Sequence, residues 1–284
     1  MILVTGAVGN VGRVLVPLLH ARGARARVLV RRPDRYRAPG PEVEVCAGHF
    51  GAPETLAPAL AGVHTVFLLS GVHPEMVALQ CRMVDAARTA GVRRIVKLSG
   101  MDASPSAPIA LGRWHGEVEA AIEAAGLDFT HLRPNIFMHN LLGQAAAIAA
   151  SGELRAALGD GRVSLVDVRD IAEAAARVLL EPGHDRRAYT LTGPRAITQA
   201  EVAALLAGAT GRSVRYVPLS PAQAREEMTA ARMPEWWADL LLELYAVAAA
   251  GGCSRVAPDA QQLLGRAPRD FASFAADHAQ VLRG

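Results

Sequence analysis

A short glycine-rich segment follows the first apolar run of the chain. Met1–Thr5 leads into Thr5-Gly-Ala-Val-Gly-Asn-Val-Gly12, in which glycine recurs at every third position. From Val11 to Leu19, apolar residues then follow the period of a helix, which Gly23 ends. A helix that starts directly after such a turn presents unpaired N–H groups and the positive end of its dipole to a phosphate. The segment predicts a dinucleotide-binding turn, with a ligand-free glycine turn as the alternative.

The end of the second predicted strand indicates which dinucleotide the turn would bind. Val30 is followed by Arg31 and Arg32, and no carboxylate occurs before Asp34. Proteins that bind NAD usually place Asp or Glu here to hold the ribose 2′-hydroxyl, whereas arginine binds the 2′-phosphate of NADP in bidentate fashion. The two arginines therefore favour NADP(H). Solvated surface arginines are the alternative explanation.

Strand and helix patterns alternate through the first half of the chain. Strands are predicted at Met1–Thr5, Ala26–Val30, Val43–Cys46, Thr65–Leu69, Arg94–Ser99 and Phe129–Leu132. Their mostly apolar sequences are typical of a parallel sheet that is covered on both faces. We predict an α/β protein in which residues 1–150 form an NADP-binding domain with a Rossmann-type doubly wound parallel sheet.

The second half carries helical patterns with short strands between them. Strands are predicted at Arg187–Leu191 and Val214–Val217, a capping box at Thr198–Glu201, and a helix that begins at Pro234. Residues 151–284 are predicted to form a smaller, mostly helical substrate-binding lobe that is intertwined with the first domain.

Composition limits the other classes of function. No run of about 20 apolar residues is present, and the chain opens on a strand pattern, so we expect neither a membrane span nor a signal peptide. The three cysteines are far apart and lack CxxC spacing, which indicates reduced thiols in a cytoplasmic protein without a metal site. The net charge of +3 is spread along the chain, so nucleic acid is not an expected partner. We expect a monomer or a homodimer.

Six stretches spread over nearly the whole chain share their pattern with one known family. They are Val4–Gly12, Arg94–Gly100, Leu127–Phe137, Val166–Ala172, Tyr189–Gly193 and Phe271–His278. On these stretches the chain resembles the NmrA-like family of atypical short-chain dehydrogenases/reductases. That family includes quinone reductases, triphenylmethane reductases, related aromatic ketoreductases and non-catalytic NmrA regulators.

The wider superfamily protonates its substrates with a Tyr-x-x-x-Lys pair, which this sequence lacks. None of the four tyrosines has a lysine four residues on, and Lys97, the only lysine, lies inside a predicted strand. The corresponding helix carries His115-Gly-Glu-Val-Glu119, which is similar to the His-x-x-x-Glu pattern of the quinone and triphenylmethane reductases. His115 is a candidate proton donor, or a structural histidine that Glu119 satisfies one turn on. The resemblance also places Ser99 at the position of the superfamily's substrate-binding serine; a strand-end hydroxyl that bonds to the local backbone is the alternative.

Ligands of doubly wound sheets bind at the carboxyl ends of the strands. The predicted catalytic residues are His115 and Ser99. Cofactor contacts are expected from Thr5, Gly6, Gly9, Asn10, Val11, Gly12, Arg31, Arg32, Leu69, Ser70, Pro134 and Ile136. His49 or Phe50 would flank the adenine. An apolar substrate wall is expected from Met101, Trp114, Phe137 and Trp236, although core packing would explain each of these side chains equally well.

The resemblance implies an NADPH-dependent reductase that transfers hydride to a carbonyl. The expected substrate is a small molecule with a ketone or quinone carbonyl in a planar aromatic or polycyclic, polyketide-like framework. Such a carbonyl is easily reduced, so water or the substrate's own phenol is an alternative proton source to His115. The alternative functions are a non-catalytic NADP-sensing regulatory protein and an imine or alkene reductase.

Overall fold

A seven-stranded sheet is the larger of two sheets in the protein, whose computed structural model describes residues 1–283. Its strand order is β3-β2-β1-β4-β5-β6-β8, and a separate two-stranded sheet pairs β7 with β9. The strands are β1 (Ile2–Val4), β2 (Ala26–Val30), β3 (Val43–Ala47), β4 (Thr65–Leu68), β5 (Arg94–Leu98), β6 (Asp128–Pro134), β7 (Glu153–Ala156), β8 (Arg187–Leu191) and β9 (Arg215–Pro218).

Helices lie between the strands in the first half and dominate the second half. They are α1 (Gly12–Ala21), α2 (Leu56–Leu60), α3 (Met76–Thr89), α4 (Ala110–Ala124), α5 (Ala145–Ser151), α6 (Val168–Leu180), α7 (Gln199–Thr210), α8 (Pro221–Ala230), α9 (Glu235–Ala249), α10 (Asp259–Leu264), α11 (Phe271–Asp277) and α12 (Ala279–Arg283). Short 3-10 helices cover Pro33–Arg35, Pro53–Thr55 and Met138–Gln144. No helix in the described chain is both long enough and apolar enough to cross a bilayer.

The pairing of the strands confirms the predicted Rossmann-type doubly wound sheet. β1 pairs in parallel with both β2 and β4, so that Val4 is in register with Val28 on one side and Phe67 on the other. The chain builds the sheet outward through β2 and β3 and then returns to β4 on the opposite side of β1. The strand order therefore reverses between β1 and β4, and the carboxyl ends of these strands flank the crevice in which such sheets bind ligands.

The predicted strands β1, β2, β4 and β5 are buried on both faces of this sheet, whereas β3, at its edge, is buried only at Val43. Leu3, Val66 and Ile95 pack with the apolar sides of α2, α3 and α4, and all three side chains are fully buried. On another side of the same unit, α1 contacts α6. Burying each such aliphatic side chain stabilises the fold by about 1.5–3 kcal/mol, which explains why these strands have no polar face.

The described chain divides into two compact units, and the division differs from the predicted boundary at residue 150. The first unit comprises residues 1–134 and 168–190, and the second comprises residues 135–167 and the chain from Leu191 onward. The division falls at Pro134 because β6 ends there. The chain later returns to the first unit through α6.

The second unit contains both predicted and unpredicted elements. The capping box is present: Thr198 Oγ1 accepts from Glu201 N at 3.1 Å, and Glu201 Oε2 accepts from Thr198 N at 2.8 Å. The helix after Pro234 begins at Glu235, with Pro234 as its N-cap residue. Strand β7, which pairs in parallel with β9, was not predicted, because only two of its four residues are buried.

Candidate active site

The glycine-rich turn joins β1 to α1 at the point where the strand order reverses. Gly6 has a φ of +66°, and a Cβ atom there would lie 2.7 Å from Leu69 Cγ. A Cβ atom on Gly12 would lie 2.2 Å from the carbonyl oxygen of Gly6, so both positions require glycine for the turn to close onto the helix. At Gly9 an added Cβ would meet only the Gly6 carbonyl oxygen, at 3.3 Å. The fold alone does not explain Gly9, whereas a phosphate lying against the backbone would.

The side chains next to the glycines have different roles from one another. Thr5 is buried, and its hydroxyl accepts from Leu69 N at 2.8 Å and lies 2.8 Å from Leu69 O. This hydroxyl thus ties the end of β1 to the end of β4 and is already occupied within the protein. Val11 is also buried, whereas Asn10 is exposed on the turn.

Arg13 is a candidate phosphate contact that the sequence analysis missed. Its guanidinium lies over the turn, where Nη2 donates to Val8 O at 3.2 Å and Nε donates to Gly9 O at 3.4 Å. A cation in the first turn of a helix is unfavourable with the helix dipole unless an anion is present. The first turn of α1 contains no acidic residue, so this combination was available in the sequence as a signal for an anion site.

The two arginines after β2 lie on the surface of the first unit. Arg31 and Arg32 are exposed, and neither guanidinium has a hydrogen bond or ion pair among residues 1–283. By contrast, Arg27 on the same strand is bound to Glu44. The arginines at the end of β2 are therefore free to bind an anion.

Of the two residues expected to flank an adenine, one belongs to the core. Phe50 is 9% exposed and packs with Leu29 and Leu56. His49 is exposed, and its Nδ1 accepts from Gly51 N at 3.1 Å. Only His49 has a surface on which a base could stack.

A row of polar side chains runs along the face of α4 that is turned towards the sheet. His115, Glu119 and Glu123 are four residues apart, so they lie one above the other on the helix. Their partners come from the strands: His115 Nδ1 lies 3.1 Å from Lys97 Nζ, and Glu123 Oε1 lies 3.1 Å from His131 Nε2.

The carboxylate in the middle of this row binds an arginine. Arg133 donates to both oxygens of Glu119, through Nε at 3.1 Å and through Nη2. Glu119 is buried, and this bidentate pair supplies its countercharge. The alternative in which Glu119 satisfies His115 is therefore not what the structure has: the partner of His115 is Lys97.

Lys97 is fully buried on β5, and each of its three protons has an acceptor. Nζ donates to Gln80 Oε1 at 3.2 Å, to Leu98 O at 3.2 Å and to His115 Nδ1. Burial lowers the pKa of Lys97 to about 7, although the charge of Glu119 opposes this shift. Lys97 therefore changes its charge near neutral pH instead of at the usual alkaline pH of a lysine.

The same contact determines the protonation of His115. Burial, and then the charge of Lys97, lower the pKa of His115 well below its ordinary value, so the ring is neutral at pH 7. An ammonium group only donates, so the hydrogen-bond network assigns Nδ1 as the acceptor and places the ring proton on Nε2. The His115 side chain is partly exposed, and the edge that carries Cδ2 and Nε2 lies against Gly100.

Ser99 and Ser70 lie at the carboxyl ends of the strands next to this pair. Ser99 is 5% exposed, and its hydroxyl has no hydrogen-bond partner among the described residues. A buried hydroxyl without a partner indicates that a ligand or water completes it. Ser70 accepts from Gln80 Nε2 at 2.8 Å, which connects the end of β4 to Lys97 through one amide.

The remaining predicted contacts belong partly to each unit. In the first unit, Leu69, Met101 and Trp114 are half-buried and Pro134 is buried at the end of β6. In the second unit, Ile136, Phe137 and Trp236 are half-buried, and Trp236 packs edge-on against Trp237 with the ring centres 5.6 Å apart. Among residues 1–283 no group of three His, Cys, Asp or Glu residues could hold a metal ion.

Comparison with known proteins agrees with the geometry of the turn. The NAD(P)H-binding family matches residues 6–182. The chain is 41% identical to an NAD(P)H azoreductase of Xenophilus azovorans, over 98% of both chains. It is 39% identical to a (4-alkanoyl-5-oxo-2,5-dihydrofuran-3-yl)methyl phosphate reductase of Streptomyces griseus, over 99% of both chains.

A solved structure extends this agreement to the whole fold. An NADPH-dependent quinone oxidoreductase of Escherichia coli in complex with NADPH superposes with a TM-score of 0.90 at 29% identity, over 98% of this chain and 99% of that one. The family match covers the glycine turn from Gly6 onward and strands β2 to β6, and the two reductases named above align over nearly their whole length. The chain therefore belongs to the NAD(P)H-binding family and is an NAD(P)H-dependent oxidoreductase with a Rossmann-type fold.

Proposed function

We propose that this protein transfers hydride from NADPH to a quinone or ketone carbonyl of a planar aromatic or polycyclic substrate, without a Tyr-x-x-x-Lys pair. The observation that carries the proposal is the neutral His115, which is bound to Lys97 and lies against Gly100, directly after Ser99, whose hydroxyl has no partner among the described residues. These two side chains offer donors to a carbonyl oxygen: the Ser99 hydroxyl for binding it and the His115 Nε2–H for protonating it.

The cofactor is proposed to bind along the turn between β1 and α1. The backbone at Gly9 leaves room for the pyrophosphate, and the Arg13 guanidinium adds positive charge beside it. Arg31 and Arg32 are proposed to bind the 2′-phosphate, which makes NADPH the preferred cofactor. NADPH supplies the hydride when it is bound.

The substrate class rests on the chemistry of the site and on the names of the relatives. Those names specify an azo compound, an oxo-dihydrofuran phosphate and a quinone. Azo, enone-like and quinone groups are all conjugated and electron-poor, so they accept hydride without a strong acid. Half-buried Met101 and Trp114 in the first unit support a flat apolar substrate. Phe137 and Trp236 stay predictions for its remaining contacts.

Reduction of an azo bond is the second candidate, because the azoreductase is 41% identical over nearly the whole chain. Both reactions bring hydride to a conjugated acceptor and a proton to the heteroatom that becomes negative. They differ in whether that heteroatom is oxygen or nitrogen.

The experiment is a panel of acceptors at fixed NADPH: a naphthoquinone, a polycyclic aromatic ketone and an azo dye. We expect NADPH oxidation with the quinone or the ketone, with one hydroquinone or one alcohol formed per NADPH consumed. Turnover with the azo dye alone would replace the first proposal by the second. Tight NADPH binding with no turnover of any acceptor would contradict both.

A further inference from the structure

The only lysine of the chain is buried beside the proposed proton donor and has no carboxylate partner. Taking an ammonium group out of water is costly, and proteins usually offset that cost with an opposite charge. Glu119, whose charge acts on Lys97, instead binds Arg133 through both of its oxygens. The acceptors of Lys97 are the neutral Gln80 side chain, a backbone carbonyl and His115 Nδ1. Of these, only the imidazole has an acceptor nitrogen that can carry a transferred proton.

We propose that Lys97 is a positioning residue that holds His115 in its Nε2–H tautomer and returns a proton to Nδ1 when Nε2 protonates the substrate. This inference rests on the proposed carbonyl reduction. It makes Lys97, on β5, the source of the proton that His115 regains in that reaction. The geometry that carries it is the 3.1 Å contact between Nζ and Nδ1, together with the partial exposure of the His115 side chain.

Every proton that moves in this step has a donor and an acceptor. Once hydride has reached the carbonyl carbon, the oxygen carries a negative charge. The Nε2–H bond of His115 breaks as the O–H bond of the product forms, and one N–H bond of the Lys97 ammonium breaks as the Nδ1–H bond forms. The result is a neutral alcohol, or from a quinone a hydroxydienone that tautomerises to the hydroquinone, together with a neutral imidazole protonated on Nδ1 and a neutral Lys97 amine. Because the ring is partly exposed, water then reprotonates Nε2, and Nδ1 returns its proton to Lys97.

The surroundings of Lys97 suit a group that supplies a proton near neutral pH. A proton donor is most effective when its pKa lies near the working pH, and burial lowers the pKa of Lys97 to about 7. The polar and titratable groups that face Nζ come from three elements: Gln80 and Cys81 on α3, His115 and Glu119 on α4, and His131, which is in register with Lys97 on β6. On the β4 side its register partner is the apolar Leu68.

The protonated form of Lys97 is the proton donor, so turnover should depend on pH. Below a pH of about 7, Lys97 is protonated and can return a proton to His115. Above that pH it becomes a neutral amine and cannot. We therefore expect turnover with a carbonyl substrate to fall as the pH rises through about 7.

The uniqueness of Lys97 allows a direct test in the intact protein. Labelling with ¹⁵N-lysine gives one side-chain Nζ signal, and its chemical shift can be followed against pH without assignment. A second spectrum, of ¹⁵N-labelled histidine, reports which nitrogen of His115 carries the proton; His115→Phe identifies the signal. We expect Nζ to titrate near pH 7 and His115 to be protonated on Nε2. Titration of Nζ above a pH of about 9, close to an ordinary lysine, overturns the proposal.

Two variants separate positioning from packing. Lys97→Met keeps the length and removes the charge, and we expect turnover to fall about tenfold to a hundredfold, as when a partner that orients a histidine is lost. The fall in turnover above a pH of about 7 should disappear, while NADPH affinity is retained. Lys97→Arg still donates to Nδ1 but cannot release a proton in this range, so it should keep the Nε2–H tautomer and also lose that fall. Arg88→Met, which removes an exposed cation from α3, is the control and should behave as wild type.

A Lys97→Met protein that binds NADPH and keeps the wild-type pH profile would contradict the proposal. The two NMR signals need no substrate, so they judge the Lys97–His115 pair separately from the reaction. If the Lys97 and His115 signals are as expected but the protein reduces no carbonyl, the Lys97–His115 pair is supported and the proposed substrate is overturned.

Discussion

Single side chains at two places in the first unit carry the proposals for cofactor binding and for proton transfer to the substrate. At the end of β2, Arg31 and Arg32 are exposed and free of ion pairs in the described chain, so binding an anion costs them no existing contact. At the end of β5, by contrast, the polar groups of Lys97 and His115 are already bound to each other. The first site can gain affinity from charge alone, whereas the second depends on which atom carries the proton.

The choice of cofactor is tested at Arg31. We expect Arg31→Asp to weaken NADPH binding by about 1.5–3 kcal/mol, since a charge-assisted contact is lost and a carboxylate repels the 2′-phosphate. NADH binding should change far less. Calorimetry with both cofactors measures the difference, and Arg22→Asp at the end of α1 is a control for the loss of an exposed arginine. Equal losses for NADPH and NADH would remove Arg31 from the 2′-phosphate site.

The role of His115 is tested by His115→Phe, which keeps a ring at the same place. If Nε2 protonates the product, turnover with a carbonyl substrate should fall by about 10²–10⁴-fold, the range for a lost general acid, with NADPH affinity nearly unchanged. Single-turnover kinetics separate the chemical step from product release. A loss below about tenfold would assign the proton to water or to the substrate's own phenol.

Helix α4 is the element in which the sequence pattern and the structure differ most. The sequence predicted the helix and its His-x-x-x-Glu pattern, with a bond between the two side chains as the alternative to a proton donor. Both point towards the sheet, and alternation along β6 brings His131 and Arg133 to the face that α4 covers. The partners of α4 therefore come from residues 97, 131 and 133, which are distant in sequence. A single sequence does not encode that register, although the polar residues at alternate positions of β6 were a visible sign of it.

The glycine turn is the element for which sequence and geometry agree best, and two substitutions separate its parts. Gly9→Val should leave the fold intact, because an added Cβ meets only the Gly6 carbonyl oxygen at 3.3 Å, but should abolish binding of both cofactors by filling the pyrophosphate position. Gly12→Ala should destabilise the protein itself, since its Cβ would lie 2.2 Å from that oxygen. Urea unfolding and cofactor titration of each variant measure the two effects. A Gly9→Val protein that still binds NADPH tightly would show that the turn is not the phosphate site.

At the scale of the whole molecule, the chain's path was harder to predict than its elements. Strands β2 and β8 have the predicted bounds, Ala26–Val30 and Arg187–Leu191, because apolar or β-branched runs and flanking turns are local signals. The assignment of α6 to the first unit rests on packing between segments about 150 residues apart, which no local pattern reports. The boundary at residue 150 was predicted where the sequence changes from alternating strands and helices to mostly helices. The division in the structure instead follows contacts between residues that are distant in sequence.

A fragment that ends at residue 150 should not fold on its own. A fragment of residues 1–150 lacks α6, whose Ile171, Val178 and Leu179 are buried, and α6 contacts α1. Each of these side chains contributes about 1.5–3 kcal/mol when buried, so their combined loss is comparable with the whole stability of a domain, about 5–15 kcal/mol. The fragment also lacks β8, which borders β6 in the main sheet. We expect it to give a poorly dispersed NMR spectrum and no NADPH binding, although it contains the complete glycine turn. The full-length chain is the control, and a fragment that folds and binds NADPH would show that α6 is dispensable to the first unit.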